Sequence, residues 1–344
     1  VTDGAPIRLL VTDNTASRFA FHLREGRAHD EFCILMPEGD AEAELIALAR
    51  EADAALCYQA PLSGAVIKAA RALKFIQKHG LNCRNIDVAA AARRGIPVAT
   101  LPLMRNVTVA EHALALILAC SRRLIAAHHA VASAAYQAMD LQPTPTSQGH
   151  YLANWPRIEG IGELYQATAG IVGMGDIGME IAKRCRAFGM NIVYYQRTQH
   201  DAATEAAMGM QYLPFDALLA SADYVVLVVP HTRETDSLID QAALARMKPG
   251  AALINIGRGG LVDEAALAAA LERKQIAMAG LDVYRTEPLP SQSPLRTLPN
   301  VVLTPHIGGG SYRSWEVDMP AVLANIKRFF ATGQAQGVPQ REGA

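Results

Sequence analysis

The chain has 344 residues, 51% of them hydrophobic, and a formal net charge of -1. That length exceeds what one core usually covers, so two domains are expected. The scattered charge leaves no electrostatic footprint for nucleic acid or an anionic membrane, and no early apolar run is long enough to span a bilayer.

The first hundred residues alternate short apolar runs with helix-like segments. Ile7–Val11, Phe32–Leu35, Ala54–Cys57, Leu73–Gln77 and Val98–Ala99 are predicted strands, with predicted helices at Glu42–Arg50, Gly64–Ala72 and Asp87–Arg94. Such alternation predicts parallel βα units. Gly95-Ile96-Pro97 stops the third of these helices. Val107–Ala135 is rich in Ala and Leu and apolar nearly all round, which predicts one long buried helix. Met139–Gly162 contains Pro143, Pro145, Pro156 and several glycines and is expected to be a loop or arm, with Tyr151 and Trp155 packing on something. A second alternation follows. Its predicted strands are Ala169–Val172, Asn191–Tyr195, Tyr224–Val229, Ala252–Asn255, Met278–Leu281 and Val301–Leu303. Helices lie between them, including Asp263–Glu272, and six strands suit a doubly wound dinucleotide domain. A last helix, Tyr312–Phe330, is expected to pack back on the first domain. The five cysteines (Cys33, Cys57, Cys83, Cys120, Cys185) are odd in number and lack CxxC spacing. No basic stretch ahead of an apolar run opens the sequence. Reduced thiols in a cytoplasmic protein are expected, with neither a disulfide framework nor a metal site.

Gly173-Met174-Gly175-Asp176-Ile177-Gly178 is a G-x-G-x-x-G between a predicted strand and a predicted helix, the context in which this pattern marks a dinucleotide site. Gly173 makes the turn, Gly175 admits a pyrophosphate, and Gly178 lets helix and strand pack closely. The helix N-terminus offers unpaired N–H groups to the phosphates. The plainer alternative is a glycine turn selected for packing alone. The next strand ends in Gln196-Arg197-Thr198 and no carboxylate occurs before Asp201, so the usual acid for a ribose 2′-OH is missing. An arginine there suits a 2′-phosphate, which favours NADP(H) over NAD(H), with Arg197 and Thr198 at the phosphate. The alternative is a solvated arginine with loose cofactor choice.

Three further segments end predicted strands on the side where open α/β sheets bind ligands. Arg258 stands among glycines, where its fork of donors could hold a carboxylate or polarise a carbonyl. His306 could pass a proton near neutral pH, and Glu287 could stabilise its charged form. Each alone has a dull explanation: a surface arginine, a core histidine, a helix-capping glutamate. Their coincidence at strand ends of one sheet is what points to catalysis.

With these segments in place, the chain resembles the D-isomer-specific 2-hydroxyacid dehydrogenase family. The likeness rests on INIGRGGLVDEAAL (Ile254–Leu267), GLDVYRTEPLP (Gly280–Pro290) and LTPHIGG (Leu303–Gly309). It continues in NVTVAEHALALIL (Asn106–Leu118), in the glycine loop and in VVPHTRETDSLID (Val228–Asp240). The resemblance implies two doubly wound parallel-sheet α/β domains, one Rossmann-like and one flavodoxin-like. The dinucleotide-binding domain (108–307) would be inserted into a substrate domain (1–107 and 308–344), usually in a homodimer. Carried over, Arg258 binds substrate, His306 is the acid/base and Glu287 its partner. Cofactor contacts are implied for Gly173, Met174, Gly175, Asp176, Ile177, Gln196, Arg197, Thr198, Val229, Pro230, Thr235, Ile256, Gly257, Asp282, His306 and Gly308. Asp282 would lie near the nicotinamide carboxamide.

The family loop after the fourth strand usually reads G-x-G-x-D-N-I-D, and its N–H groups hold the substrate carboxylate. Here it runs Gly80-Leu81-Asn82-Cys83-Arg84-Asn85-Ile86-Asp87, with Asn82 for the second glycine and Arg84 for the first aspartate. Gly80, Leu81 and Asn82 are still expected to bind substrate, because Asn tolerates left-handed backbone, and Asn82 could add a side-chain contact. Tyr165-Gln166 replaces the family's Gly-Lys, as a surface change. Glu111-His112 resembles a pair that buttresses the domain junction, a structural role. His22, His128 and His129 lack partners at metal spacing and are expected at the surface.

The expected reaction is reduction of a 2-keto acid to a D-2-hydroxy acid, or its reverse, with NAD(P)H, most like a glyoxylate/hydroxypyruvate reductase. The alternative is a catalytically silent NAD(P)-sensing interaction protein of the same fold. A phosphite-oxidising relative would want a lysine near position 82, which Asn82 does not supply. The partner expected besides a second copy is a small-molecule 2-keto or 2-hydroxy acid, with no nucleic acid, membrane or metal.

Overall fold

The computed structural model describes residues 5–17, 19–20, 23, 31–310 and 313–338. His22 and Tyr312 lie outside the described residues. The chain forms two compact units, Val1–Arg105 with Ser311–Ala344, and Asn106–Gly310.

In the first unit, β1 (Ile7–Val11), β2 (Phe32–Leu35), β3 (Ala54–Cys57), β4 (Phe75–His79) and β5 (Val98–Leu101) form one sheet in the order β2-β1-β3-β4-β5. Every pairing is parallel, which is the flavodoxin-like doubly wound order. All residues of β3 and β4 are buried, as expected for strands covered on both faces. Alternate residues sort into two cores. Leu10 and Ile76 pack with Val66 and Ile67 on one face. On the other, Leu9, Val11 and Phe75 pack with Met319, Val322 and Ile326 of the last helix, Arg313–Thr332. The sequence thus returns after the second unit to cover the first sheet. Phe75 stacks on Phe329 at 4.4 Å between centroids, and buried Gln77 accepts a 2.7 Å hydrogen bond from the Asn325 amide.

The second unit holds seven strands, one more than the sequence suggests. They are β6 (Thr168–Val172), β7 (Asn191–Tyr195), β8 (Met210–Tyr212), β9 (Tyr224–Leu227), β10 (Ala252–Asn255), β11 (Met278–Leu281) and β12 (Val301–Leu303), in the order β12-β11-β10-β9-β6-β7-β8. The extra strand, β8, is a three-residue edge strand, too short for an alternation to show. All pairings are parallel. The strand order reverses between β6 and β9, so a crevice is expected beyond their carboxyl ends.

The single long helix expected at Val107–Ala135 is two helices, Met104–Ser121 and Leu124–Ala132, bent by 62°. The cause is non-local. Gly162 N–H donates to the Ser121 carbonyl at 2.8 Å, and the Ser121 hydroxyl and Arg122 guanidinium donate back to the Gly162 carbonyl. Arg123 then takes a left-handed conformation, φ 53°, with its Nε on the Gly160 carbonyl at 3.1 Å. Only the first helix is buried along one face; the second has no buried residue. In the arm, Trp155 packs edge-on against Tyr136 while Tyr151 stays exposed.

Cys57, Cys120 and Cys185 are buried, and burial pushes each thiol up to about 12. Such thiols stay protonated and unreactive.

Candidate active site

The glycine loop leaves β6 at the reversal point. Gly173 N–H donates to the Tyr195 carbonyl at 2.8 Å, which joins the loop to β7. A Cβ on Gly173 would lie 2.8 Å from Val229 and 3.1 Å from the Val228 carbonyl, so the loop abuts the end of β9. A Cβ on Gly178 would collide with the Gly173 carbonyl oxygen. Only glycine lets the helix Asp176–Ala187 start so close to the strand. Around Gly175 the space is open, with nothing within 4 Å of a built Cβ, and no side chain caps this helix at Gly175. An open cradle facing uncapped N–H groups fits a pyrophosphate. Met174 is buried and Ile177 half-buried, while Asp176 is exposed in the first turn.

After β7, Arg197 and Thr198 are exposed, and the Gln196 amide donates to the Thr198 carbonyl at 2.6 Å. Asp201, the first carboxylate after the strand, caps the next helix through Thr204 N–H at 2.8 Å. An acid nevertheless approaches from another loop. The Thr232 hydroxyl holds Glu234 below its usual range, and the Arg197 charge adds to this. Sequence order could not reveal that neighbour. In the same loop, the Thr235 hydroxyl donates to the Pro230 carbonyl at 2.8 Å and accepts from Thr232 N–H at 2.7 Å. Thr235 therefore stitches its own turn.

Asn255, the last residue of β10, is buried. Its side chain accepts from Gly257 N–H at 3.1 Å and donates to the Arg258 carbonyl at 3.0 Å. This clamp fixes the backbone that carries Arg258. The next residue, Gly259, packs on the 284–285 backbone so tightly that any Cβ would collide with it. Ile256 and Gly257 are buried beside the end of β9, and the Arg258 guanidinium is exposed, with Nη1 donating to the Gly257 carbonyl at 2.6 Å.

Asp282 follows β11 and is almost completely buried. Its Oδ1 accepts from the Thr304 hydroxyl at 2.6 Å and Ile307 N–H at 2.9 Å, and its Oδ2 accepts from Gly308 N–H at 2.8 Å. His112 Nε2 lies 3.2 Å from Oδ1 and 3.0 Å from the Thr304 hydroxyl. Burial opposes ionisation of this carboxyl, but hydrogen bonds from His112, Thr304, Ile307 and Gly308 outweigh it and hold it at about 2. Its main-chain carbonyl accepts from His306 N–H at 2.8 Å. Asp282 therefore grips the backbone at His306 and at the two residues after it.

His306 Nδ1 lies 2.7 Å from Glu287 Oε2, and both side chains are about two-fifths exposed, at 41% and 37%. Glu287 Oε1 accepts from Tyr284 N–H at 3.1 Å, and the Tyr284 hydroxyl donates to the Thr304 carbonyl at 2.8 Å. Burial first, then the charge of Asp282, pushes that hydroxyl up to about 12. The loops after β10, β11 and β12 thus bring Arg258, Glu287 and His306 to one edge of the sheet, beyond neighbouring strands.

Asn255, Thr304, His112 and Tyr284 were not read from the sequence as site residues. A polar residue closing an apolar run, as in Ala252–Asn255, was the available signal for Asn255. His112, marked in the sequence only by its resemblance to a family pair, belongs to the network around Asp282.

In the first unit, Gly80 N–H donates to the Leu101 carbonyl at 3.0 Å. That corrects the expectation that all three N–H groups of Gly80, Leu81 and Asn82 face a carboxylate: Gly80 is engaged in the sheet. Asn82 Oδ1 accepts from Arg84 N–H at 2.9 Å, so its side chain braces the loop, and its amide NH2 is left to make the expected side-chain contact. Leu81 is exposed beside it. The loop after β3 packs behind. Asn85 donates to the Ala60 carbonyl at 2.8 Å, and buried Lys78 donates to the Tyr58 carbonyl.

Residues 114–308 match the family model of the D-isomer specific 2-hydroxyacid dehydrogenase, NAD binding domain. Among curated relatives, the chain is 37% identical over 284 residues to a D-3-phosphoglycerate dehydrogenase of Archaeoglobus fulgidus, covering 82% of this chain and 49% of that protein. It is 39% identical over 264 residues to a glyoxylate reductase of Pyrococcus furiosus, covering 77% of this chain and 75% of that one. The solved NADPH-dependent glyoxylate/hydroxypyruvate reductase of Sinorhizobium meliloti, in complex with citrate, superposes with a TM-score of 0.67 at 28% identity over 97% of both chains. The chain belongs to the D-isomer specific 2-hydroxyacid dehydrogenase family. It spans about half the length of the phosphoglycerate dehydrogenases it matches.

Proposed function

We propose that this protein is an NAD(P)-dependent oxidoreductase that reduces a small 2-keto acid to a D-2-hydroxy acid, or catalyses the reverse. The observation that carries the reading is the His306–Glu287 pair, 2.7 Å apart, presented at the same sheet edge as an exposed Arg258 and an open glycine loop. A bound reduced nicotinamide supplies the hydride. Arg258 pairs with the substrate carboxylate and polarises the keto oxygen, which favours the developing alkoxide. His306 Nδ1 is engaged with Glu287, which leaves Nε2 to give the proton to that oxygen. Glu287 stabilises the imidazolium before transfer and holds the ring's orientation afterwards. Asp282 keeps His306 in register through its backbone.

Support for a glyoxylate- or hydroxypyruvate-like substrate comes from the glyoxylate reductases at 37–39% identity, each covered over three quarters of its length, and from the glyoxylate/hydroxypyruvate reductase at 28%; the phosphoglycerate dehydrogenases at 37–38% are covered over only about half of theirs. The exposed Arg197 and Thr198, with no carboxylate on their own loop before Asp201, favour NADP(H), although Glu234 must give way to the 2′-phosphate. A homodimer would cover Leu124, Ile125 and Val131 of the second helix, which the single chain leaves exposed. The test is a panel of 2-keto acids assayed with NADPH and with NADH, followed by loss of reduced-nicotinamide absorbance. Turnover of a small keto acid, faster with NADPH, is expected. No turnover with cofactor bound would favour a nucleotide-sensing role. A clear NADH preference would reject the reading of Arg197.

A further inference from the structure

The loop after β7 does more than present Arg197. His200 turns its ring toward the glycine loop, where Nε2 lies 2.8 Å from the Met174 carbonyl oxygen. A carbonyl only accepts, so Nε2 carries a proton and donates. The other side of His200 is fixed to the core. Its N–H donates to the Tyr194 hydroxyl at 2.9 Å, and that hydroxyl donates to Glu205 at 2.8 Å. Gln199 donates to the same carboxylate oxygen at 3.0 Å. Tyr194 is fully buried, and its ring lies 5.6 Å from that of His200. His200 is thus a strut from a rigid strand to the first x of the G-x-G.

The peptide Met174–Gly175 is planar and trans, so its C=O and N–H point in opposite directions. Holding the Met174 carbonyl toward His200 turns the Gly175 N–H away from the β7 loop. That N–H belongs to the cradle that fits a pyrophosphate. We propose that His200 is a positioning residue for dinucleotide binding: it orients the Met174–Gly175 peptide and couples the pyrophosphate loop to the loop bearing Arg197. The proposal rests on the dinucleotide reading above. Because both cofactors carry the same pyrophosphate, His200 acts on NADPH and NADH alike, whereas Arg197 acts only where a 2′-phosphate is present.

The test is fluorescence titration of NADPH and NADH into wild type, His200→Ala, His200→Gln and Arg197→Ala, with thermal melting of each. His200→Ala should weaken both cofactors by the same factor, about 5- to 10-fold, as expected for loss of one well-placed hydrogen bond. His200→Gln, whose amide can donate to the same carbonyl, should recover most of that loss. Arg197→Ala should weaken NADPH only. Three results would overturn the proposal: unchanged affinity in His200→Ala, a loss confined to one cofactor, or no recovery by glutamine in a variant that melts like wild type. If the wild type binds neither cofactor, the dinucleotide reading falls first and takes this inference with it.

Discussion

Replacing Asp282 by asparagine tests how the sheet holds His306. The carboxylate is held at about 2 against an ordinary 3.8. That depression corresponds to about 2 kcal/mol of stability at neutral pH, at roughly 1.4 kcal/mol per pKa unit. The sign follows from the direction. A depressed carboxyl stabilises the fold above its unfolded pKa, and the contribution is lost as pH falls through about 4 to about 2. Asparagine mimics the neutral form and adds a clash of donors. Its amide nitrogen must face either Gly308 N–H or the Ile307 and Thr304 donors, all within 2.6–2.9 Å of the carboxylate. One buried donor left unpaired costs about 1–3 kcal/mol more. Urea unfolding of wild type and Asp282→Asn at pH 7 and pH 3 measures both parts. The wild type should exceed the variant by at least about 2 kcal/mol at pH 7, and the gap should shrink by about 1 kcal/mol at pH 3. A gap of the same size at both pH values would refute the linkage, and a gap below about 0.5 kcal/mol at pH 7 would refute the role of the network.

His306→Ala should lower kcat by about 100-fold or more while leaving the Kd for NADPH unchanged, checked by steady-state kinetics beside fluorescence titration. Arg258→Lys keeps the charge but loses the planar fork, so kcat/KM for the keto acid should fall with little change in cofactor affinity. Gly178→Ala places a Cβ against the Gly173 carbonyl oxygen, so cofactor binding should be lost or greatly weakened; titration at wild-type affinity would show that the loop can relax.

Most strands were legible because they are buried on both faces and read as continuous apolar runs. Ala54–Cys57, Ala252–Asn255 and Met278–Leu281 are entirely buried. β4 is shifted two residues along from its apolar run: it starts at Phe75 and continues through buried Lys78 and His79, polar residues that no apolar pattern would include. The bend at Arg123 was illegible for a clear reason: no proline or glycine lies near it. Its cause is the Gly160–Gly162 backbone, about 40 residues along the chain. Hydrogen bonds between distant residues leave no local pattern. His112 and Asp282 are far apart in sequence, and His200 reaches Met174 from 26 residues away. Arg258, Glu287 and His306 could be singled out because each is a chemically apt side chain at the end of an apolar run. The residues that aim them could not.

Those aiming residues share one design. Asn255 ends β10, Asp282 follows β11, and Thr304 follows β12. Asn255 bonds the backbone of its own following loop, Asp282 bonds the backbone of the loop after β12, and Thr304 bonds Asp282 across to the neighbouring strand. Placing polar groups inside an apolar sheet costs stability unless every donor and acceptor is matched, and here the matching groups are supplied by the site loops themselves. The loops are therefore held by the same sheet that forms the core, rather than by their own flexible sequence. It follows that conservative changes within the apolar runs should move stability first, while changes at Asn255 or Thr304 should move kcat at least as much as stability. A residue need not touch substrate to set the geometry in which the proton is transferred.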